Sequence, residues 1–114
     1  MNNDLENRCL VFAKKTRDFL MTLKKDVINL EYIKQLVRSS ASVGANYIEA
    51  NEKLGEQDLR MKIRISRREA KESKYWLNLI LTDNSEKQEK ERIELLNEAE
   101  ELRLIFSAIL NKLK

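Results

Sequence analysis

Positions Leu5, Cys9, Phe12, Thr16, Phe19 and Leu23 are separated by steps of four, three, four, three and four. That rhythm is the buried seam of an α-helix. With Asp4 as a plausible N-cap, it predicts a first helix ending near Leu23. Lys24-Lys25-Asp26 is polar enough for a short connection, and Asn29 is the candidate cap for the next element. The second helix is predicted over Leu30 to Lys53, with two adjacent seams. One runs through Ile33, Val37, Ser40, Gly44 and Tyr47, the other through Leu36, Ser40, Val43, Tyr47, Ala50 and Leu54. A face this wide belongs to a helix with much of its surface turned inward. Its middle, Ser39 to Ala45, consists mostly of small residues, which let a neighbouring helix come close. Gly44 costs a helix about 1 kcal/mol relative to Ala, so packing or function must retain it.

Gly55 is predicted to stop that helix as a left-handed residue at or just past its C-terminus. A third helix is predicted from Glu56 or Gln57 to Leu81 or Thr82, its seam formed by Leu59, Ile63, Ser66, Ala70, Ser73, Leu77 and Leu81. This seam is again small in the middle, so the second and third helices are expected to face each other there. Thr82-Asp83-Asn84-Ser85 is a turn and cap cluster, with Asn84 or Ser85 as the cap. A fourth helix follows from Glu86 to Leu113, burying Leu95, Ala99, Leu102, Phe106, Ile109 and Leu113. Four long helices with short connections predict an all-α, antiparallel up-down-up-down four-helix bundle, one domain over residues 1–114.

Composition supports this. The 114 residues include no Pro and two Gly, which removes most of the turn punctuation a β-rich fold needs. There is one Cys and no His, so an internal disulfide, His-based catalysis and His-ligated metals are excluded. Cys9 lies on the first seam, where a buried, inert thiol is expected. The start of the chain lacks a signal-peptide pattern, and no apolar run approaches the roughly 20 residues of a membrane span. A cytoplasmic protein with no membrane partner is expected.

Net charge is only +3, so distribution matters more than total. Between Arg60 and Lys74 there are seven Lys or Arg against two Glu, whereas between Glu86 and Glu101 there are seven Glu against three Lys or Arg. At about 100° per residue, Arg60, Arg64, Arg67, Arg68, Lys71, Lys74 and Tyr75 fall on one flank of the third helix. The Arg residues are suited to bidentate phosphate contacts and Tyr75 to stacking on a base. Equally, the stripe is read as a solvated face, or one paired with the glutamates of the fourth helix. Ile65, Trp76 and Leu79 fall on the other flank and exceed what one seam must bury, which marks a broad core contact or a subunit interface. Glu98, Glu100 and Glu101 have no neighbours that would make them an acid/base pair, and a di-iron bundle would need Glu-x-x-His. No enzyme activity and no cofactor are expected.

Two segments carry a family resemblance. The first, Gln35 to Ala50, contains Arg38-Ser39-Ser40-Ala41-Ser42-Val43-Gly44-Ala45-Asn46; the second, Lys62 to Leu77, contains Arg67-Arg68-Glu69-Ala70-Lys71-Glu72-Ser73-Lys74-Tyr75-Trp76-Leu77. Together they resemble the bacterial four-helix-bundle proteins encoded in 23S rRNA intervening sequences. The resemblance implies a ring-like homopentamer. The accessory variability protein of diversity-generating retroelements is similar in fold, and implies a basic barrel that engages nucleic acid and a reverse transcriptase. The resulting expectation is a non-enzymatic homo-oligomer that associates with RNA or DNA through the basic stripe. The alternative is a self-assembling protein-interaction module, with a reverse-transcriptase-like partner and no direct contact to nucleic acid.

Overall fold

The computed structural model describes residues 3–52 and 54–113. Its helices are α1 (Asn3–Met21), α2 (Val27–Ala50), α3 (Glu56–Leu79) and α4 (Glu86–Lys112). They form an antiparallel bundle of about 45 × 22 × 20 Å. Each helix packs on its two neighbours in a closed square, and across the diagonal α2 and α4 meet through Tyr47 and Phe106, whose ring centroids are 5.7 Å apart. The α2–α3 and α3–α4 contacts are extensive, and α1–α4 is the thinnest.

The first seam is buried at all six positions from Leu5 to Leu23. Leu36, Ser40, Val43, Tyr47 and Ala50 of α2, Ile63, Ser66, Ala70, Ser73 and Leu77 of α3, and Leu95, Ala99, Leu102 and Phe106 of α4 complete the core. Val37 lies too far round α2 and is 46% exposed, so of the two predicted α2 seams it is the second that is buried, from Leu36 to Ala50. Leu54 lies beyond the helix and is exposed.

The small residues bring α2 and α3 together. Ser39 and Ser73 share a hydrogen bond of 2.9 Å between their hydroxyls, and Ser66 donates to the Val43 carbonyl at 2.8 Å. Hydroxyls this short reach a partner only when the two backbones are close, and each bond also satisfies a polar group inside the core.

Helix ends differ from expectation where a longer-range contact wins. Asp26, not Asn29, caps α2, its carboxylate accepting from Asn29 N–H at 2.8 Å. Asn29 is instead a buried strut: Nδ2 donates to the carbonyls of Lys24 and Leu81, and Oδ1 accepts from Leu81 N–H at 2.8 Å. It thereby ties the connection before α2 to the one after α3. Helix α2 ends at Ala50 with Asn51 as its C-cap, and the predicted end at Lys53 lies outside the described residues. Gly55 does not close α2; with φ 122° and ψ 163° it leads into α3 in a region essentially reserved for glycine. The chain leaves α3 at Ile80, which is buried in place of the predicted Leu81. Asp83 and Asn84, at φ 53° and 62°, turn it back, and the Ser85 hydroxyl caps α4 by accepting from Gln88 N–H.

Candidate nucleic-acid interface

Helix α3 turns its small and apolar stripe inward, so the cations interleaved with that stripe must lie on its flanks. Toward α4 and solvent, Arg64 and Lys71 are exposed and Arg67 is half-buried. None of these three makes an ion pair within 4 Å among the described residues. Arg68 is also exposed, 3.9 Å from Glu69. Arg60 donates to the Leu113 carbonyl and lies 4.0 Å from Glu56. Lys74 is committed to α4, donating to Glu100 at 3.2 Å. Tyr75 is 60% exposed at the end of the stripe.

Three glutamates of α4 are held by partners of their own. Glu98 accepts two bonds from Arg8 of α1, at 2.7 and 2.8 Å. Glu89 is held by Arg92 and Thr82, which bring its carboxyl down to about 2. Glu100 is gripped by Arg103 at 2.6 and 2.9 Å, and this, with help from Lys74, lowers it to about 2 as well. Among the described residues, only Lys74 of the stripe forms an ion pair with an α4 glutamate. Arg64, Arg67 and Lys71 therefore keep an outward field.

Surface openings follow the same line. One of about 420 Å³ is lined by Arg60, Arg64, Arg67, Leu110 and Asn111. A second of about 600 Å³ is lined by Arg64, Arg67, Arg68 and Lys71 with Arg103 and Ser107 of α4. Ile65 lines this second opening too, beside the arginines rather than away from them. Trp76 packs on the core with its ring centroid 6.3 Å from Tyr32 of α2. Leu79 is half-buried. Of the apolar flank, Trp76 thus serves contacts within the chain.

The family model of the 23S rRNA-intervening sequence protein matches residues 2–108. This chain belongs to that family. A solved relative is a Bacteroides thetaiotaomicron VPI-5482 protein of unknown function from the S23 ribosomal protein family. It is 27% identical, with a TM-score of 0.77 over 93% of this chain and 97% of that one. No curated protein matches.

In this intervening-sequence protein, the two segments that carry the resemblance are the two that pack most extensively. Arg38 joins them, donating to Glu69 at 3.3 Å and to Glu72 at 3.2 Å. Glu69 is 5% exposed, so Arg38 supplies the counter-charge to a carboxylate set into the α2–α3 contact. Sequence periodicity did not single out that role for Arg38, nor the place of Arg103 in the basic groove. Arg103 is one residue past the buried Leu102, and its fork is fixed by Glu100 three residues earlier, an (i, i+3) pattern visible in the chain. Among the described residues, no cluster of three or more Cys, His, Asp or Glu is arranged to hold a metal, and no helix is long and apolar enough to cross a membrane.

Proposed function

We propose that this chain is a non-enzymatic, pentameric homo-oligomer that associates with nucleic acid, RNA in the first place, through the basic face of α3. The observation that carries this is the set Arg64, Arg67 and Lys71, three cations on one face with no ion pair among the described residues. Such a set neutralises phosphates and releases their counterions, which makes binding steep in salt. Repetition around a ring would multiply a field that one copy of net charge +3 supplies weakly. The family's connection with 23S rRNA favours RNA over DNA. Self-association is supported by apolar side chains left in solvent on α1 and α4, Leu10, Val11, Ile93 and Leu104.

A second reading is a protein-interaction module that binds itself and a reverse-transcriptase-like protein without touching nucleic acid. It is favoured by the opening between α1 and α4, about 570 Å³, where Val11, Phe12 and Leu95 are surrounded by Asp18, Glu91, Glu94 and the Arg8-paired Glu98, with Lys15 the one cation in the lining. Such a groove suits a basic amphipathic helix better than a phosphate.

Structured RNA titrated into the wild type and into Arg64→Glu/Arg67→Glu/Arg68→Glu at 50 and 200 mM salt separates the two. Wild-type affinity is expected to fall by an order of magnitude or more between the two salts, and the variant to bind at least tenfold more weakly at the lower one. Weak binding unchanged by the substitutions would overturn the nucleic-acid reading, and a strict monomer in light scattering would overturn the ring.

A further inference from the structure

Between α3 and α4 the openings are not separate. The one at Arg60 shares Arg64 and Arg67 with the next, and that one shares Lys71 and Arg103 with a third of about 480 Å³ lined by Lys74, Tyr75, Asn78 and Glu100. They make one groove from Arg60 to Asn78, roughly 27 Å at 1.5 Å per residue. Resting on the nucleic-acid reading above, we propose that this groove takes a single strand rather than a duplex, with phosphates along Arg60 to Lys71 and one base on Tyr75.

Width and polarity argue for this. Packed helices have axes about 8–10 Å apart, so the furrow between them admits one backbone, and its cations come from both walls, Arg67 from α3 and Arg103 from α4. Cations along α3 recur about once per turn, roughly every 5.4 Å. That spacing keeps successive phosphates of one strand within reach of successive cations.

The two ends of the groove are chemically different. At the Arg60 end the α3 wall is cationic and the α4 wall is the uncharged pair Leu110 and Asn111. At the Tyr75 end, Glu100 offsets part of the charge of Lys74 and Arg103, at 3.2 and 2.6 Å, so the cationic field is weaker there than beside Arg64 and Arg67. Tyr75 meets Trp76 at 5.3 Å between centroids and 69° between planes, and Trp76 in turn rests on Tyr32. This edge-on support steadies the Tyr75 ring and leaves it 60% exposed for stacking.

The test uses the full chain with fluorescently labelled oligouridylates of 3 to 12 nucleotides and a 16-base-pair RNA duplex. Single-strand affinity is expected to rise with length up to about 5 nucleotides per protomer, the groove length divided by one helical turn. It is expected to exceed duplex affinity at least tenfold. Tyr75→Ala is expected to cost about tenfold on the single strand and nothing on the duplex, while Tyr75→Phe keeps the wild-type value. Equal or tighter binding of the duplex, or a Tyr75→Ala variant that binds the single strand normally, overturns the single-strand site. If Arg64→Glu/Arg67→Glu still abolishes binding in that case, the nucleic-acid reading stands without it. No binding of either RNA overturns both.

Discussion

A Cβ placed on Gly44 would lie 3.0 Å from the Cβ of Cys9, so α1 rests against the bare backbone of α2 at this point. The small run of α2 therefore serves two neighbours: Ser39 and Val43 meet α3, while Gly44 meets α1. Cys9 Cβ is rigidly attached to its helix and no side-chain rotation moves it away. Gly44→Ala must push the helices apart, at about 1–3 kcal/mol for overpacking, against about 1 kcal/mol gained in helix propensity. A net loss of up to about 2 kcal/mol is expected in urea unfolding. Because Cys9→Gly removes the opposing atom, the double variant should lose less than the two single losses added together, and strict additivity would contradict the contact.

Burial pushes the Cys9 thiol up to about 12, so it stays protonated and sealed at neutral pH. Native protein is expected not to react with a disulfide reagent at pH 8, and to react stoichiometrically once unfolded in guanidinium. Fast labelling of the native state would show that α1 opens far more readily than its seam implies.

Asn29 holds two connections together through three bonds. Asn29→Ala strands those backbone groups in a site 1% exposed and is expected to cost about 2–4 kcal/mol. Asn29→Asp keeps the acceptor for Leu81 N–H but aims an oxygen at two carbonyls. Its carboxyl should be held protonated, so the loss is expected to be larger at pH 7 than at pH 4, a dependence the alanine variant lacks.

Glu100 contributes to stability with the opposite sign. Its folded value of about 2 lies below the ordinary 4.5 for a glutamate, chiefly because Arg103 donates to the ionised form. The stabilisation is therefore complete above about pH 4.5 and disappears as pH falls through about 2. Because the carboxylate is partly solvated, Glu100→Gln is expected to cost only about 0.5–1 kcal/mol at pH 7, and the difference from wild type should vanish near pH 2. A gap that persists in acid would show that shape, not charge, is what the substitution removes.

The rhythm of apolar positions by itself determined the number of helices, their approximate spans and most of the inward stripes, including the six-residue seam of α1 and the small faces of α2 and α3. Those are properties of each rod alone, because a helix places its side chains by angle whatever lies opposite. The basic flank of α3 was legible for the same reason.

Only the tertiary structure decided which neighbour each feature meets. It set Gly44 against α1, turned Asn29 from a cap into a strut, and moved Gly55 from the end of α2 to the approach to α3. It also sent Glu98 to Arg8 and set Glu100 beside Lys74, leaving Arg64, Arg67 and Lys71 without an ion-pair partner among the described residues. Such pairings depend on which atoms come within about 3 Å across segments 26 to 90 residues apart in the chain, and periodicity along one helix carries no information about that distance.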